Sequence, residues 1–299
     1  MRYKIIIPIL VCMLFITACG NSDTGNTQST GAFIGGSEGI DATFEPFGVE
    51  EDNIYSLFET EAFPIEIRFQ NKGEYEIQPG DINIELLGPS EEEFTGIANR
   101  NLQNQDLIEK ISELVPNGGE EIITFATDAQ YNTDVTGYID REWFANIDYN
   151  YQTKIVMPEI CLKEDLTDKR VCTVKESKTF FVSGSPIQAT TVDESTSGRG
   201  IMAVKIAIEN VGDGKVAKLD GEFGVSDRLG FSLDDQAWEC KSAGKINEAR
   251  LVDGKADVVC KLKEPLAEKT LSTKQLTLTL NFKYREIIQE KVRIKQSDE

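Results

Sequence analysis

The sequence predicts an all-β chain built as two tandem β-sandwiches. Three observations carry that prediction: apolar residues that alternate with polar ones, turn residues that punctuate the alternation, and one stretch that occurs twice. Alternation places the apolar side chains on one face of a strand. The repeated stretch is Ile206-Ala207-Ile208-Glu209-Asn210-Val211-Gly212-Asp213-Gly214-Lys215-Val216, and its counterpart, Ile67 to Ile77, lies at a constant offset of 139 positions. The offset superposes Ile67 on Ile206, Phe69 on Ile208, Asn71 on Asn210, Gly73 on Gly212 and Ile77 on Val216. It also carries Asp81 onto Asp220, Ile84 onto Phe223 and Leu86 onto Val225. Each copy reads as a strand, an Asn-x-Gly turn and a second strand that opens just after an Asp. Asn and Gly suit such a turn because both tolerate positive φ and Asn bonds its neighbouring backbone. Duplication of one module accounts for the match.

A chain of 299 residues exceeds one typical domain and suits two. Its formal charge of -20 and its lack of histidine argue against nucleic-acid binding, which requires clustered Lys and Arg. The same acidity disfavours docking on anionic lipid headgroups.

The first forty residues address the chain. Arg2 and Lys4 precede an apolar run from Ile5 to Ala18, fourteen residues long and shorter than the ~20 needed to span a bilayer. This reads as an export signal over residues 1–18. Ile16-Thr17-Ala18-Cys19 resembles the lipobox of secreted lipoproteins, which implies that Cys19 becomes the lipidated first residue of the mature chain. An ordinary signal peptide cut near Ala18, or an uncleaved short anchor, are the alternatives. Residues 19–39 are rich in Gly, Ser, Thr and Asn and read as a flexible tether with a mean reach of roughly 25 Å.

Of the six cysteines, Cys12 falls in the signal and Cys19 at the lipid site, leaving Cys161, Cys172, Cys240 and Cys260. An exported chain meets an oxidising compartment, so two disulfides are expected. Locality selects Cys161 with Cys172 and Cys240 with Cys260. A four-cysteine zinc site is disfavoured because closely spaced pairs and histidines are both lacking.

The first sandwich is expected over residues 40–183. Ala42 and Phe44 open it, Ile65, Ile67 and Phe69 form one inward face, and Ile82, Ile84 and Leu86 form the next. Between Asn104 and Val115 the apolar residues Leu107, Ile108, Ile111, Leu114 and Val115 recur at helical spacing behind a possible Asp106 cap, predicting one short helix. Strands follow at Ile122 to Ala126 and Trp143 to Met157. A return strand from Val171 to Val182 would bring Cys161 and Cys172 together, with a bulge expected near Pro158. Ser183-Gly184-Ser185-Pro186 marks the boundary to the second sandwich, residues 184–299. There Met202 to Ile208 alternate, Asp253-Gly254 signals a hairpin turn, and Trp238 and Cys240 face a strand through Val258, Cys260 and Leu262. A last hairpin is expected, with Leu276, Leu278, Leu280, Phe282 and Tyr284 on one arm and Val292 and Ile294 on the return. About seven short strands in about 110 residues is the size of an immunoglobulin-like sandwich.

No catalytic signature survives inspection. Gly35-Gly36-Ser37-Glu38-Gly39 formally matches a nucleophile elbow but lies in the tether of a chain without histidine. No pair among the 51 acidic residues stands out for glycoside hydrolysis, and Glu91-Glu92-Glu93 and Glu120-Glu121 read as solvated loops. Asp213-Gly214 and Asp253-Gly254 belong to no calcium-binding loop pattern and read as turns. Tyr138, Trp143, Phe144, Tyr149 and Tyr151 are a possible sugar-stacking group, with core packing favoured. No Asn-x-Ser/Thr sequon is present. Neither catalytic residues nor cofactor or metal ligands are expected.

The strand, Asn-x-Gly and second-strand pattern resembles the CARDB-like and related immunoglobulin-like modules of archaeal and bacterial surface proteins, over about twenty residues in each unit. The resemblance implies adhesion, surface assembly or presentation of a binding face, without catalysis. The expectation is a lipoprotein on the extracellular face of the membrane, anchored through Cys19 and engaging a protein partner. An accessory subunit of a membrane complex or filament, pairing through an exposed strand edge, is the alternative. A secreted carbohydrate-active enzyme is a third, and would need a cleft with two convergent carboxylates.

Overall fold

The computed structural model describes residues 31–297. The signal segment, Cys12 and Cys19 lie outside the described residues. The chain is all-β, as expected, and no helix occurs among the described residues.

The first half contributes β1 (Ile40–Phe44), β2 (Val49–Glu51), β3 (Ile54–Phe58), β4 (Ala62–Asn71), β5 (Ile82–Gly88), β6 (Phe94–Thr95), β7 (Asn101–Gln103), β8 (Glu120–Tyr131), β9 (Tyr138–Lys163) and β10 (Phe181–Val182). The second contributes β11 (Ile187–Gly198), β12 (Ile201–Asn210), β13 (Lys215–Ala217), β14 (Arg228–Leu233), β15 (Trp238–Ser242), β16 (Lys245–Ile246), β17 (Glu248–Arg250), β18 (Lys255–Leu262) and β19 (Leu271–Lys295). A four-stranded sheet, ordered β1-β4-β8-β6, belongs to the first half, and a five-stranded sheet, β11-β12-β18-β15-β16, to the second. Both lie against one long sheet with the path β17-β14-β19-β9-β5-β7, to which β2, β3, β10 and β13 add.

The spine of that long sheet is the antiparallel pair β9 and β19, in register from Tyr138↔Lys295 to Lys163↔Leu271. At ~3.3 Å per residue the 25 residues of β19 reach on the order of 80 Å. One face of the spine is buried along its length: Trp143, Ala145, Ile147, Tyr149, Tyr151, Ile155 and Met157 on β9, and Leu276, Leu278, Leu280, Phe282, Tyr284, Val292 and Ile294 on β19. The four-stranded sheet closes on it through Phe94, whose ring lies 5.0 Å from that of Trp143. The other face sorts charge by strand, with Asp140 opposite Arg293, Glu142 opposite Lys291 and Asp148 opposite Arg285. Cross-strand pairs of this kind favour one register over its slipped alternatives.

The repeat is visible in the pairing. Ile40↔Asn71 in β1 and β4 matches Ile187↔Asn210 in β11 and β12. Gln70↔Glu120 matches Glu209↔Lys255, and Ile84↔Ile147 matches Phe231↔Leu280. The constant offset nevertheless ends at Val216. Val225, expected to be the counterpart of Leu86, is fully exposed, and the matching strand begins only at Arg228. The intervening loop 218–227 lengthens the second copy.

Three further expectations are corrected. The segment Asn104 to Val115 is an extended loop, because its backbone bonds are made outward: Ile77 and Ile108 exchange bonds of 3.1 and 3.0 Å, and the Ile111 amide donates to Gly73. Only Ile108 of the apolar set is fully buried, and Leu114 is 93% exposed, so the helical face has nothing to pack against. The last hairpin is instead one uninterrupted strand. Arg285 to Lys291 holds no Gly, Pro, Asn or Asp to reverse the chain, and β19 runs on to pair in parallel with β3, from Val292↔Tyr55 to Lys295↔Phe58. The return strand expected from Val171 is reduced to β10, where Val182 pairs with Ile155. The bulge expected near Pro158 is present, though it faces β19, whose register shifts between Lys274 and Leu276. Two strands thus span both halves.

Candidate functional site

The two Asn-x-Gly turns meet at the middle of the spine. Tyr149 and Tyr284 are directly opposed there, ring centroids 5.6 Å apart, and Tyr151 and Phe282 form the next pair at 6.1 Å. Asn71 ends β4 and Asn210 ends β12, and each donates its side-chain amide four residues onward, to the carbonyls of Tyr75 at 2.7 Å and Gly214 at 2.9 Å. Neither glycine of the motif has positive φ. Their need for glycine is close approach: a Cβ on Gly73 would overlap the Tyr151 hydroxyl, and one on Gly212 the Tyr284 hydroxyl. The Tyr284 hydroxyl donates to Asn210 Oδ1 at 3.0 Å and receives the Gly214 amide at 2.9 Å. Burial, ahead of other causes, pushes its pKa up to about 12.

Beside this aromatic centre lies a carboxyl that alternation places on the inward side of β19. Glu286 Oε1 accepts the Tyr149 hydroxyl at 2.9 Å, and the same hydroxyl is bonded by the Ile40 backbone. Burial raises the Glu286 pKa to about 7, against the Tyr149 bond and with added repulsion from Asp41, Asp213 and Glu38. A cavity of about 240 Å³ is bounded by Ser37 to Asp41, Pro186, Gly212 and Glu286. On the far side Glu286 borders an open cleft of about 500 Å³ with Asp213, Lys215 and Arg285. The arrangement can exchange a proton near neutrality, and no group of three or more His, Cys, Asp or Glu among the described residues is placed to hold a metal ion.

A second carboxylate ties the chain's entry to the junction. Glu74 accepts the amides of Ile34 and Gly35 at 2.9 Å and of Gly184 at 2.7 Å. The carbonyl of Gly36 receives the Ser185 amide and the Gln188 side chain, and that of Gly39 receives the Lys72 amide. The last residues of the expected tether are therefore docked between the halves.

Both expected disulfides are present, with Cα separations of 5.7 Å for Cys161–Cys172 and 3.9 Å for Cys240–Cys260. Cys240 and Cys260 are cross-strand partners in β15 and β18. The Cys161 amide donates to Glu194, whose buried carboxylate also meets Lys178 Nζ at 3.0 Å. The loop after Cys161 is gathered by buried Lys163, whose ammonium donates to the carbonyls of Asp168, Arg170 and Cys172. Cys19 lies outside the described residues.

The remaining candidates resolve as structure. Trp143, Tyr149 and Tyr151 are core residues, whereas Tyr138 is exposed beneath the Arg293 guanidinium. Asp253 and Gly254 have φ of 51° and 75° and turn the Val252 to Lys255 hairpin as expected. Glu93 pairs with Arg141, and Glu121 receives the amides of Gln105 and Asp106.

No family model matches the chain, and comparison with curated proteins and with solved structures likewise returns no match.

Glu286 and Glu74 were not singled out from the sequence. Glu286 had a signal: from Leu276 to Tyr284 the inward positions are even-numbered, and continuing that parity past Tyr284 places a carboxylate on the inward side of the strand. The expected hairpin concealed it. Glu74 had none, since its three partners are backbone amides from two distant segments.

Proposed function

We propose that this protein is a lipoprotein of the extracellular face of the cell membrane, held by a lipid on Cys19, whose body is a non-enzymatic binding, adhesion or structural module. Its two halves are read as tandem immunoglobulin-like sandwiches related to the CARDB-like modules of surface proteins. The observation that carries the reading is the spine: β9 and β19 pair through both halves, and the chain enters at its middle. A two-strand ladder buried on one face resists bending, so the body is a stiff bar held at its waist with both ends presented. The two disulfides fit the oxidising compartment that export supplies. Mass spectrometry of the mature N-terminus tests the anchor. A lipid-modified Cys19 with residues 1–18 removed is expected, and an unmodified Cys19 or an intact signal overturns it.

One observation favours the alternative of an accessory subunit of a membrane complex or filament. Along its outer edge β8 is paired only at Gln130 and Tyr131, by β6, and Ile122 beside the open stretch is half exposed. An open strand edge is a template for a partner strand. Isolation from native membranes in mild detergent, with cross-linking at Ile122, should recover a partner joined at this edge on this reading and no cross-link at Ile122 on the first.

A further inference from the structure

The long sheet is interrupted at one place along its spine. On the side away from β9, β19 pairs with β14 from Leu278 to Asn281, with β13 from Lys283 to Arg285, and with β3 from Val292 to Lys295. No described strand pairs with residues 286–291 on that side, which leaves a notch about 20 Å long. The direction of its backbone groups follows from the ladder with β9, which is unshifted from Leu276 to Lys295. The Thr277 carbonyl receives the amide of Asp234, just after β14, and the Lys295 carbonyl that of Glu59, just after β3. Odd-numbered residues of β19 therefore turn their N–H and C=O groups away from β9. In the notch these residues are Ile287, Gln289 and Lys291. The Lys291 amide is taken by the Glu290 side chain at 2.9 Å. On the open side the groups of Ile287 and Gln289 have no bonding partner among the described residues, and both residues are exposed.

Alternation sorts the side chains along the notch. Glu286, Ile288 and Glu290 share the inward face, with Asp41 and Asp213 beside Glu286, and with Glu50 and Glu290 both near the Tyr55 hydroxyl. The cations stand on the other face: Asp148 holds Arg285, Asp140 holds Lys291, and Lys215 lies opposite Arg285 in the ladder. That other face also presents Ile287, which is 65% exposed.

We propose that the notch receives an extended segment of a partner protein as an added strand between β13 and β3, with basic residues opposite Glu286 and Glu290 and apolar residues between them. The backbone supplies the affinity: Ile287 and Gln289 can each exchange two hydrogen bonds with the incoming strand. The side chains supply the choice. Directly opposed residues share a face, so basic residues four positions apart meet the two carboxylates, and an apolar residue opposite Ile287 covers it. The formal charge of -20 draws a basic segment in. A second copy of this chain is a poor occupant, since its open β8 edge carries Glu120 and Glu121 and would set like charges together. The notch is separate from that edge and stands whether or not Cys19 carries a lipid.

Amide exchange read residue by residue by NMR on the full chain tests it. The probe is the peptide Thr-Arg-Thr-Val-Ile-Arg-Thr at millimolar concentration, which when laid antiparallel sets its arginines opposite Glu290 and Glu286. It should slow exchange of the Ile287 and Gln289 amides by at least about tenfold. The Ile122 and Thr124 amides of β8 should not change. A peptide with glutamate in place of both arginines should give no protection. Gln289→Pro removes an N–H that the ladder with β9 does not use, so the chain should keep its fold and lose the Ile287 protection. Three results overturn the proposal: no protection by the arginine peptide, equal protection by both peptides, or protection at β8 in place of β19. If Gln289→Pro does not fold, Glu290→Lys decides. It should weaken the arginine peptide by about fivefold or more, the worth of a reversed cross-strand pair. Undiminished protection in Glu290→Lys overturns the proposal.

Discussion

Tyr149 and Tyr284, one from each half of the chain, are directly paired residues at the centre of the β9 and β19 ladder, with ring centroids 5.6 Å apart. Their hydroxyls take different partners, Tyr149 bonding Glu286 and Tyr284 bonding Asn210. The contact joins the longest strand of the first half to the last strand of the second. Four predictions follow from how the halves share this centre.

Neither half should fold by itself. Residues 31–183 lack the β19 segment that lines β9 and pairs with β3, and residues 184–297 lack β9 beneath Leu276 to Phe282. Each fragment would expose a row of apolar residues and an unpaired strand edge. Calorimetry of the intact chain should give one cooperative transition. Each fragment should show none, and a fragment that melts sharply by itself would contradict the exchange of strands.

Gly73→Ala and Gly212→Ala should each destabilise by about 1 to 3 kcal/mol, the range for overpacking a filled site. The Cβ meets a tyrosine hydroxyl in both. Tyr151→Phe should partly rescue Gly73→Ala and leave Gly212→Ala unimproved. Urea unfolding of the single and double variants measures the coupling.

Stability should fall as pH rises from about 4.5 to 7. The folded Glu286 holds its proton up to about 7 against an ordinary value of 4.5, so its contribution is full below 4.5 and is lost as pH rises through 7. The shift bounds the effect at about 3 kcal/mol. Asp140 acts in the opposite sense. The Arg293 bonds hold its pKa at about 2, so its contribution is present above the ordinary 3.8 and is lost as pH falls toward 2. Urea midpoints taken at pH 5 and pH 8 should differ in the wild type and converge in Glu286→Gln.

Loss of the Cys240–Cys260 bond through Cys260→Ser with Cys240→Ser should cost about 3 kcal/mol, from a closed loop of 20 residues. The Cys161–Cys172 bond closes only 11 residues, and Lys163 gathers the same loop without it. Its removal should cost less and should raise hydrogen exchange chiefly in residues 164–178. Unfolding curves with exchange maps of the two double variants separate the cases.

What the sequence determined by itself was local. Alternation located the inward faces, Asp253 and Gly254 specified their hairpin, the repeat pointed to the matched pairings of Asn71 and Asn210, and cysteine spacing selected both disulfides, because each depends on neighbouring residues and a short periodicity. Tertiary structure decided the rest. Leu107 to Val115 has helical spacing, yet the backbone of Ile108 found a better partner in Ile77 than in its own next turn. Arg285 to Lys291 looked like the reversal of a hairpin, but without turn residues the strand continues and is held by β9 on one side and β3 at its end. The motif glycines were legible as required, while their reason, a tyrosine hydroxyl arriving from a strand 70 to 80 positions away in sequence, was not. Glu286 becomes a titrating group near neutrality only when four segments enclose it, and desolvation is a property of that enclosure rather than of any stretch of chain.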